Sequence, residues 1–414
     1  MRENPAGLPR DHAELVARDS YGKLLALIAR RTRDVAAAED ALSEAFAAAL
    51  NSWSENGVPS NPQAWLLTVA RRNAGQAFRK GMVRQNAQHV IEMMHDEAQS
   101  NTGSDRVDDR LRLLFVCAHP AIAPDIRTPL MLQTVLGVDA ARIGRSFFVK
   151  DSTMGQRLVR AKAKMRDAGI PFDMPEPTDL PARLNDVMAA IYAAFTIGWS
   201  DLDAYAENGQ DFVDEALFLA RLVVDALQMQ AEPKGLLSLM LYCEARRPAR
   251  TGTDGGFVPL AEQDSTLWSR DMIRYAENWL RRAAALGTPG RYQTEAAIQS
   301  YHVQLSQSPD LPGDALLKLY DALITQTESL GAAIARAAAY ARCGRPEAAL
   351  AQLDSLPLGL IQDHQPFWVA RATILAAYGH FDDAAAAFDT AIAKTNDPAL
   401  RSFLTQKRKM TLTT

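Results

Sequence analysis

Residues 138–168 read VDAARIGRSFFVKDSTMGQRLVRAKAKMRDA, a stretch that combines two helical patterns with a short turn between them. The first pattern covers residues 140–148, and the second begins near Ser152 and stops at Gly169. Glycine directly after a helical pattern commonly ends a helix. The spacing therefore predicts a helix-turn-helix, a motif whose second helix can enter the major groove of DNA.

The second of these helices is predicted to have two different faces. Its apolar residues recur at intervals of four, three and four and form one stripe for docking on other helices: Met154, Leu158, Ala161 and Met165. Four residues near the helix start are candidates for contact with base edges: Ser152, Thr153, Gln156 and Arg157. Three further basic residues are candidates for contact with phosphates: Arg160, Lys162 and Lys164. An ordinary solvated basic helix would show the same periodicity. However, residues 108–170 hold 11 Lys and Arg, six Asp and no Glu, which favours DNA.

An independent basic element precedes this motif. Amphipathic patterns at residues 15–33 and 36–53 are followed by a break, and a third helix is predicted from Asn61, its N-cap, to about Lys80. Residues 68–84 contain five Lys and Arg and no acid. The candidate contacts to DNA from this helix include Trp65, whose indole could stack on an unpaired base or simply pack in the core.

The rear of the chain contains an internal repeat. The pattern Tyr340-x3-Gly344-x4-Ala349-x3-Leu353 recurs 35 residues later as Leu375-x3-Gly379-x4-Ala384-x3-Phe388. This offset is close to the 34-residue tetratricopeptide period. No sustained period-two run of β-branched residues occurs in the sequence, so we predict an all-α fold, with residues 180–405 stacked as one helical array.

The charge distribution separates the front of the chain from the rear. The chain has a net charge of −4, yet residues 1–170 carry 24 Lys and Arg against 19 Asp and Glu, whereas residues 171–400 carry 17 against 30. Such asymmetry indicates that a front module binds a polyanion. The rear part is then an extension that either does not bind the polyanion or regulates the front module.

Several classes of protein have no support in the sequence. The three cysteines are far apart, which excludes a CxxC-type zinc site, and no metal or nucleotide motif occurs, so we expect no metal and no cofactor. We also expect that the protein is not an enzyme, because the sequence contains no recognisable catalytic motif. Neither a signal peptide nor a long apolar run is present, and we expect a cytoplasmic protein without contact to a membrane.

Four segments in order give the chain a resemblance to a known family: AEDALSEAFAAAL (38–50), NPQAWLLTVARRNAGQAFRK (61–80), DDRLRLLFVCAHPAIAP (108–124) and STMGQRLVRAKAKMRDAGIPF (152–172). Together they resemble a sigma-70 family factor of the extracytoplasmic-function type, in the group with a tetratricopeptide-like C-terminal extension. The resemblance implies a role in transcription initiation, with core RNA polymerase and promoter DNA as partners and with catalysis left to the polymerase.

The resemblance also implies roles for individual residues. Those expected to bind the polymerase clamp are Glu39, Asp40, Glu44 and Phe46. Those expected to bind the −10 element are Trp65, Arg71, Arg72, Asn73, Gln76, Arg79 and Lys80. The helix around residues 153–164 matches the reader of the −35 element. The family usually has an acid where this chain has Gln76, a departure that concerns the −10 preference.

The sequence and the resemblance together divide the chain into four segments, and one alternative function stays open. Residues 1–85 correspond to sigma region 2, residues 86–107 to a linker, residues 108–170 to sigma region 4, and residues 171–414 to a helical extension that regulates or supports activity, with a protein or peptide as a further partner. The alternative is a tetratricopeptide scaffold that binds a peptide and recognises no promoter.

Overall fold

The computed structural model describes residues 9–82, 107–200, 209–253, 255–308 and 310–413. Within these ranges the chain forms nineteen α-helices and three 3-10 helices, and no β-strand occurs. The predicted all-α fold is confirmed. The chain divides into two compact units, residues 1–226 and residues 227–414.

The first unit contains nine helices among the described residues. They are α1 (Pro9–Thr32), α2 (Val35–Asn56), α3 (Pro62–Met82), α4 (Asp109–Cys117), α5 (Pro124–Leu136), α6 (Ala140–Ser146), α7 (Asp151–Asp167), α8 (Leu180–Ser200) and α9 (Gly209–Ala226). Helix α3 starts where the sequence predicts, because the Asn61 side chain accepts a hydrogen bond from the Ala64 backbone N–H at 3.0 Å. Asp34 caps α2 in the same way through the Ala37 N–H at 3.1 Å. Such caps satisfy backbone donors that have no partner inside the helix.

Helix α1 lies at the centre of the first unit and packs against α2, α3, α4 and α5. Leu24, Leu25 and Ile28 are almost completely buried. The backbone of α1 also approaches α5 closely: a Cβ placed on Gly22 would lie 1.8 Å from the Val135 carbonyl oxygen. Only glycine permits helices to approach so closely at this point.

The first two helices that follow the sequence-predicted border at residue 170 belong to this first unit. Helix α8 packs on α5, and its buried face includes Val187, Ile191 and Phe195. The compact units therefore divide after Ala226, and the helices of residues 180–226 lie outside the second unit. The physical reason is that the apolar face of α8 completes the core around α5. The roles given to the four sequence segments stay predictions.

The second unit contains ten helices among the described residues. They are α10 (Glu232–Ala245), α11 (Arg270–Ala284), α12 (Arg291–Gln307), α13 (Gly313–Thr327), α14 (Leu330–Arg342), α15 (Pro346–Asp354), α16 (Leu358–Ile361), α17 (Gln365–Ala377), α18 (Phe381–Ala393) and α19 (Pro398–Thr413). The 3-10 helices, Arg247–Ala249, Leu260–Glu262 and Ser265–Leu267, lie between α10 and α11.

The 35-residue repeat appears as two helix pairs with matching turns. Gly344 between α14 and α15 has a φ of +70°, and Gly379 between α17 and α18 has a φ of +84°. In both turns a backbone N–H after the glycine donates to a carbonyl five residues earlier at 3.0 Å, Arg345 to Tyr340 and His380 to Leu375. These left-handed glycines close the first helix of each pair. The assignment to the tetratricopeptide family stays a prediction.

Candidate nucleic-acid interface

A four-residue turn joins α6 to α7 at the place where the sequence predicts a helix-turn-helix. The Val149 N–H donates to the Gly144 carbonyl at 2.9 Å. A Cβ on Gly144 would lie only 2.7 Å from the Val149 carbonyl oxygen, so a larger residue would push the turn outward. Phe148 in this turn has a φ of +54°. The tight turn fixes the direction in which α7 leaves α6.

One face of α7 is buried, as the sequence predicts. The stripe of Met154, Leu158, Ala161 and Met165 lies in the interior of the first unit, with each residue at most 6% exposed. Helix α7 packs against α2, α5 and α6. Because the stripe holds α7 by one side, the opposite side of the helix faces solvent.

The opposite face presents most of the predicted −35 contacts. Five of the seven side chains are exposed: Ser152, Gln156, Arg157, Arg160 and Lys164. Thr153 is half-buried. Arg157 lies 3.6 Å from the Asp125 carboxylate, and both side chains are well exposed, so this ion pair contributes little to stability. The guanidinium remains accessible to a ligand.

The seventh residue, Lys162, does not face solvent. It is 8% exposed, and its ammonium group is paired with the carboxylate of Glu39 on α2. The Tyr21 hydroxyl donates a hydrogen bond to the other oxygen of this carboxylate at 3.3 Å. Burial and the neighbouring Glu39 charge raise the pKa of the Tyr21 hydroxyl well above its usual value. In this conformation Lys162 is not available to a phosphate, and Glu39 is not available to a polymerase. The structure thus pairs two residues for which the sequence predicts different partners.

The remaining predicted polymerase contacts lie on α2. Asp40 and Glu44 are exposed and four residues apart, so they share a face of the helix. Phe46 is half-buried. Two carboxylates on one exposed face form an acidic surface, which we call the α2 acidic face.

The predicted −10 contacts on α3 are described only in part. Arg71 and Arg72 are exposed, and Asn73 is half-buried. Trp65 is half-buried and makes an edge-to-face contact with the buried Trp53, with ring centroids 5.6 Å apart. The helix continues through Gln76, Arg79 and Lys80, whose side chains lie outside the described residues. Trp65 therefore packs on the core and keeps part of its ring accessible.

Three arginines that contribute to the basic charge of residues 108–170 do not serve as predicted DNA contacts. In the structure they contact the helices of residues 180–226. Arg127 donates to Asp186 on α8 at 2.8 Å, and Arg110 donates to Glu215 on α9 at 3.1 Å. The Arg142 guanidinium lies 4.5 Å above the ring of Phe212. Burial raises the pKa of the Glu215 carboxyl, an effect that Arg110 opposes. For the Arg127 contact, the available sequence signal is Asp186, the sole acid in α8.

Exposed basic residues on helices of an all-α body are typical of helical DNA-binding proteins. Residues 17–82 match the sigma-70 region 2 family, and residues 183–284 match a family of unknown function, DUF6596. An uncharacterized protein of Rhizobium meliloti (strain 1021) is 35% identical over 372 residues, which cover 88% of this chain and 87% of the relative. No solved structure matches the chain. The chain belongs to the sigma-70 family, as an extracytoplasmic-function-like factor with a C-terminal extension.

The sigma-70 region 2 implies a role in transcription initiation, through binding to core RNA polymerase and promoter DNA. Proteins of this family are not enzymes. None of the helices in the described ranges is long and apolar enough to cross a membrane. The same ranges contain no group of three or more His, Cys, Asp or Glu side chains that could hold a metal ion.

Proposed function

We propose that this chain is a promoter-specificity subunit in which α7 reads the −35 element. The observation that carries this proposal is the two-sided structure of α7. Its apolar stripe is buried, and five predicted contact residues are exposed on the other side. Polar side chains near the start of such a helix can reach base edges, and basic side chains further along can reach phosphates. Arg157 is assigned to a base edge, and Arg160 and Lys164 are assigned to phosphates.

Helix α3 is proposed to bind the −10 element. Arg71 and Arg72 are exposed and supply positive charge for the DNA backbone. Trp65 is held at the start of the helix by Trp53, and its accessible edge is suited to contact with an unstacked base. Asn73, Gln76, Arg79 and Lys80 complete the proposed contact set along this helix.

The α2 acidic face is proposed to dock on the clamp helices of the largest polymerase subunit. Sigma factors of this type dock through the corresponding segment, and those clamp helices present basic residues. Asp40 and Glu44 are exposed to meet them. Phe46, which is half-buried, supplies an apolar contact at the edge of this face. Complementary charges of this kind speed up association and fix its register.

The extension is proposed to act in two parts. Residues 180–226 support the DNA-binding unit directly, through the packing of α8 on α5 and the ion pairs of Arg127 and Arg110. The unit of residues 227–414 is proposed to be a platform of stacked helix pairs that regulates or supports initiation by binding a protein or peptide partner. This role places the protein in the cytoplasm with the polymerase.

The test is assembly of a complex from purified full-length protein, bacterial core RNA polymerase and fragmented genomic DNA. We expect the chain to co-elute with core enzyme and the complex to retain fragments that share two sequence elements. The chain with Arg157→Ala should co-elute equally well but retain fragments with less selectivity. Failure of the full-length chain to bind core enzyme, or retention of random fragments, would contradict the proposal.

A further inference from the structure

We infer that the second unit carries a binding site for a carboxylate of a peptide partner, formed by Arg246, His302 and Arg342. This inference rests on the proposed role of the unit as a platform, and it gives the chemistry of the partner. Arg246 directly follows α10, His302 lies on α12, and Arg342 is the last residue of α14. Three helices therefore contribute one basic side chain each.

The guanidinium of Arg246 is buried without a counter-charge. The residue is 6% exposed. Its Nη2 donates to the side-chain oxygen of Gln299 at 2.5 Å, whereas Nε and Nη1 have no acceptor among the described residues. Arginine keeps its charge in proteins, and a buried charge without a partner is strongly destabilising. The N–H groups of Arg246 therefore lack an acceptor that a bound anion could supply.

The next residue shows how the fold itself satisfies a buried arginine. Arg247 is 8% exposed, and its Nε donates to the two oxygens of the Glu244 carboxylate at 2.8 and 2.7 Å. Within the described ranges, no carboxylate lies at ion-pair distance from Arg246 or Arg342. Of two adjacent buried arginines, one is thus paired inside the unit, and the charge of the other is uncompensated.

Arg342 and His302 extend this positive cluster toward solvent. Arg342 is exposed, and its guanidinium donates to the Tyr301 hydroxyl at 2.5 Å. His302 is half-buried, and burial together with the charges of Arg246 and Arg342 lowers the pKa of its imidazole. The Arg246 guanidinium also lies over the ring of Trp268, 6.0 Å from the ring centre. The indole N–H of Trp268 is a further buried donor for which the described residues provide no acceptor.

A carboxylate matches these donors. The planar guanidinium donates two parallel hydrogen bonds to a carboxylate, and such charge-assisted bonds are roughly twice as strong as neutral ones. The exposed Arg342 can make the first contact, and Arg246 can then exchange the neutral oxygen of Gln299 for a charged one. On α14, Arg342 shares a helix face with Ala335 and Ala338, and neither alanine is fully buried. These small side chains leave space for the backbone of a peptide beside the carboxylate.

Thermal unfolding of the full-length chain tests the uncompensated charge. Arg246→Met removes a buried charge that has no partner, so the unfolding temperature of the second unit should rise by about 2–4 °C. Arg247→Met is the matched control at the adjacent, equally buried position. It should lower the unfolding temperature, because it leaves the Glu244 carboxylate without its partner. An unfolding temperature that does not rise in Arg246→Met would overturn the inference, since Arg246 would then be satisfied within the fold.

Peptide arrays test the ligand. The probes are two arrays of random decapeptides, one with free C-terminal carboxylates and one with amidated C-termini, which separates a terminal carboxylate from an acidic side chain. We expect the full-length chain to retain peptides that share a carboxylate, and exchange of that group for its amide should weaken binding at least about tenfold. Arg342→Gln should weaken binding of the same peptides without a change in unfolding temperature, because Arg342 is exposed. Arg345→Gln, an exposed arginine paired with Asp314, is the control and should bind them normally.

Retained peptides without a preference for carboxylates, unchanged binding in Arg342→Gln, or the absence of any retained peptide would each overturn the inference. Inorganic phosphate is added as a separate probe in thermal unfolding. If phosphate stabilises the unchanged chain and no peptide is retained, the ligand is a phosphate and the assignment to a peptide carboxylate is wrong. Neither polymerase nor DNA takes part in these measurements. Failure of the chain to bind core enzyme would therefore remove the platform role and leave the carboxylate site, whereas loss of the carboxylate preference would leave promoter recognition intact.

Discussion

Arg127 on α5 donates a hydrogen bond to Asp186 on α8 at 2.8 Å, in an ion pair whose side chains are 15% and 28% exposed. The two residues lie on opposite sides of the border that the sequence predicts at residue 170. Together with the buried apolar face of α8, this pair makes the start of the extension a structural part of the proposed −35-binding region. An experiment that removes the extension must therefore leave α8 in place.

Two truncations should consequently behave differently. A chain that ends after Phe172 loses the buried α8 side chains Leu184, Val187, Met188, Ile191 and Phe195, each worth ~1.5–3 kcal/mol when buried. We expect it to aggregate or to unfold at a much lower temperature. A chain that ends after Ala226 keeps the first unit and should unfold cooperatively in thermal denaturation. Equal thermal stability of both truncated chains would show that α8 is dispensable for folding.

The chain that ends after Ala226 also tests the role of the second unit. If residues 227–414 are a required platform, the chain that ends after Ala226 should bind promoter DNA with core enzyme but initiate transcription poorly. If the second unit instead masks the basic helices, the same chain should bind promoter DNA more tightly and transcribe more. We expect the first result. A truncated chain as active as the full-length protein would rule out the platform.

Helix α7 allows base reading to be separated from phosphate binding. Arg157→Ala should cost ~1–3 kcal/mol at the preferred −35 site and little on random DNA, because a base contact is lost. Lys164→Ala should weaken binding to all sequences alike and lower the salt dependence of binding. The measurement is a binding titration on specific and random duplexes at several salt concentrations. Equal losses on both duplexes for Arg157→Ala would remove its assignment to a base edge.

The α2 acidic face should matter for the polymerase and not for the fold. Reversal of Asp40 and Glu44 to lysine should abolish binding to core enzyme, because the basic clamp helices would meet like charges. The unfolding temperature should change little, since both side chains are exposed and exposed charges contribute little to stability. Pull-down of core enzyme and thermal denaturation measure the two effects. Retained pull-down would exclude this face as the docking site.

His302 on α12 gives the second unit a pH-dependent stability. Burial, assisted by the nearby Arg246 and Arg342, lowers the pKa of its imidazole from 6.5 to about 4. The unfolded chain therefore takes up a proton first as the pH falls, and stability is lost between about pH 6.5 and pH 4, by at most ~1.4 kcal/mol per pH unit. Denaturant titrations at pH 7 and pH 5 should show this loss, and His302→Gln should reduce it. His380→Gln, at an exposed position of the same unit, is the control. The same loss in His302→Gln as in the unchanged chain would refute this origin.

Local sequence signals predicted the parts of the fold that depend on neighbouring residues. Asn61 caps α3, the stripe of α7 is buried, and Gly344 and Gly379 form matching turns, because caps, helix periodicity and left-handed glycines act over a few residues. The orientation of Lys162 could not be predicted in this way. It lies four residues after Leu158, at the edge of the apolar stripe, so periodicity leaves its direction open. The orientation of Lys162 is set by its ion pair with Glu39, which lies 123 residues earlier in the chain.

The border at residue 170 illustrates the same limit. Gly169 and Pro171 do end a helix, since α7 stops at Asp167 and Gly169 has a φ of +59°. A helix end is a local property, whereas a boundary between compact units depends on which apolar faces cover one another. Val187 and Ile191 are buried on α8, which packs on the earlier helices α4 and α5, and that packing is visible only in three dimensions.

Promoter recognition by this chain is tested most directly by transcription in vitro with core RNA polymerase and the full-length chain. The template is genomic DNA from its own organism, and the RNA 5′ ends are sequenced. We expect a small set of discrete start sites, each preceded by the same −10 and −35 elements at a constant spacing. Core enzyme alone should not use these sites, and Arg157→Ala should reduce their use. Start sites that are unchanged by addition of the chain, or that share no upstream element, would contradict a role in promoter recognition.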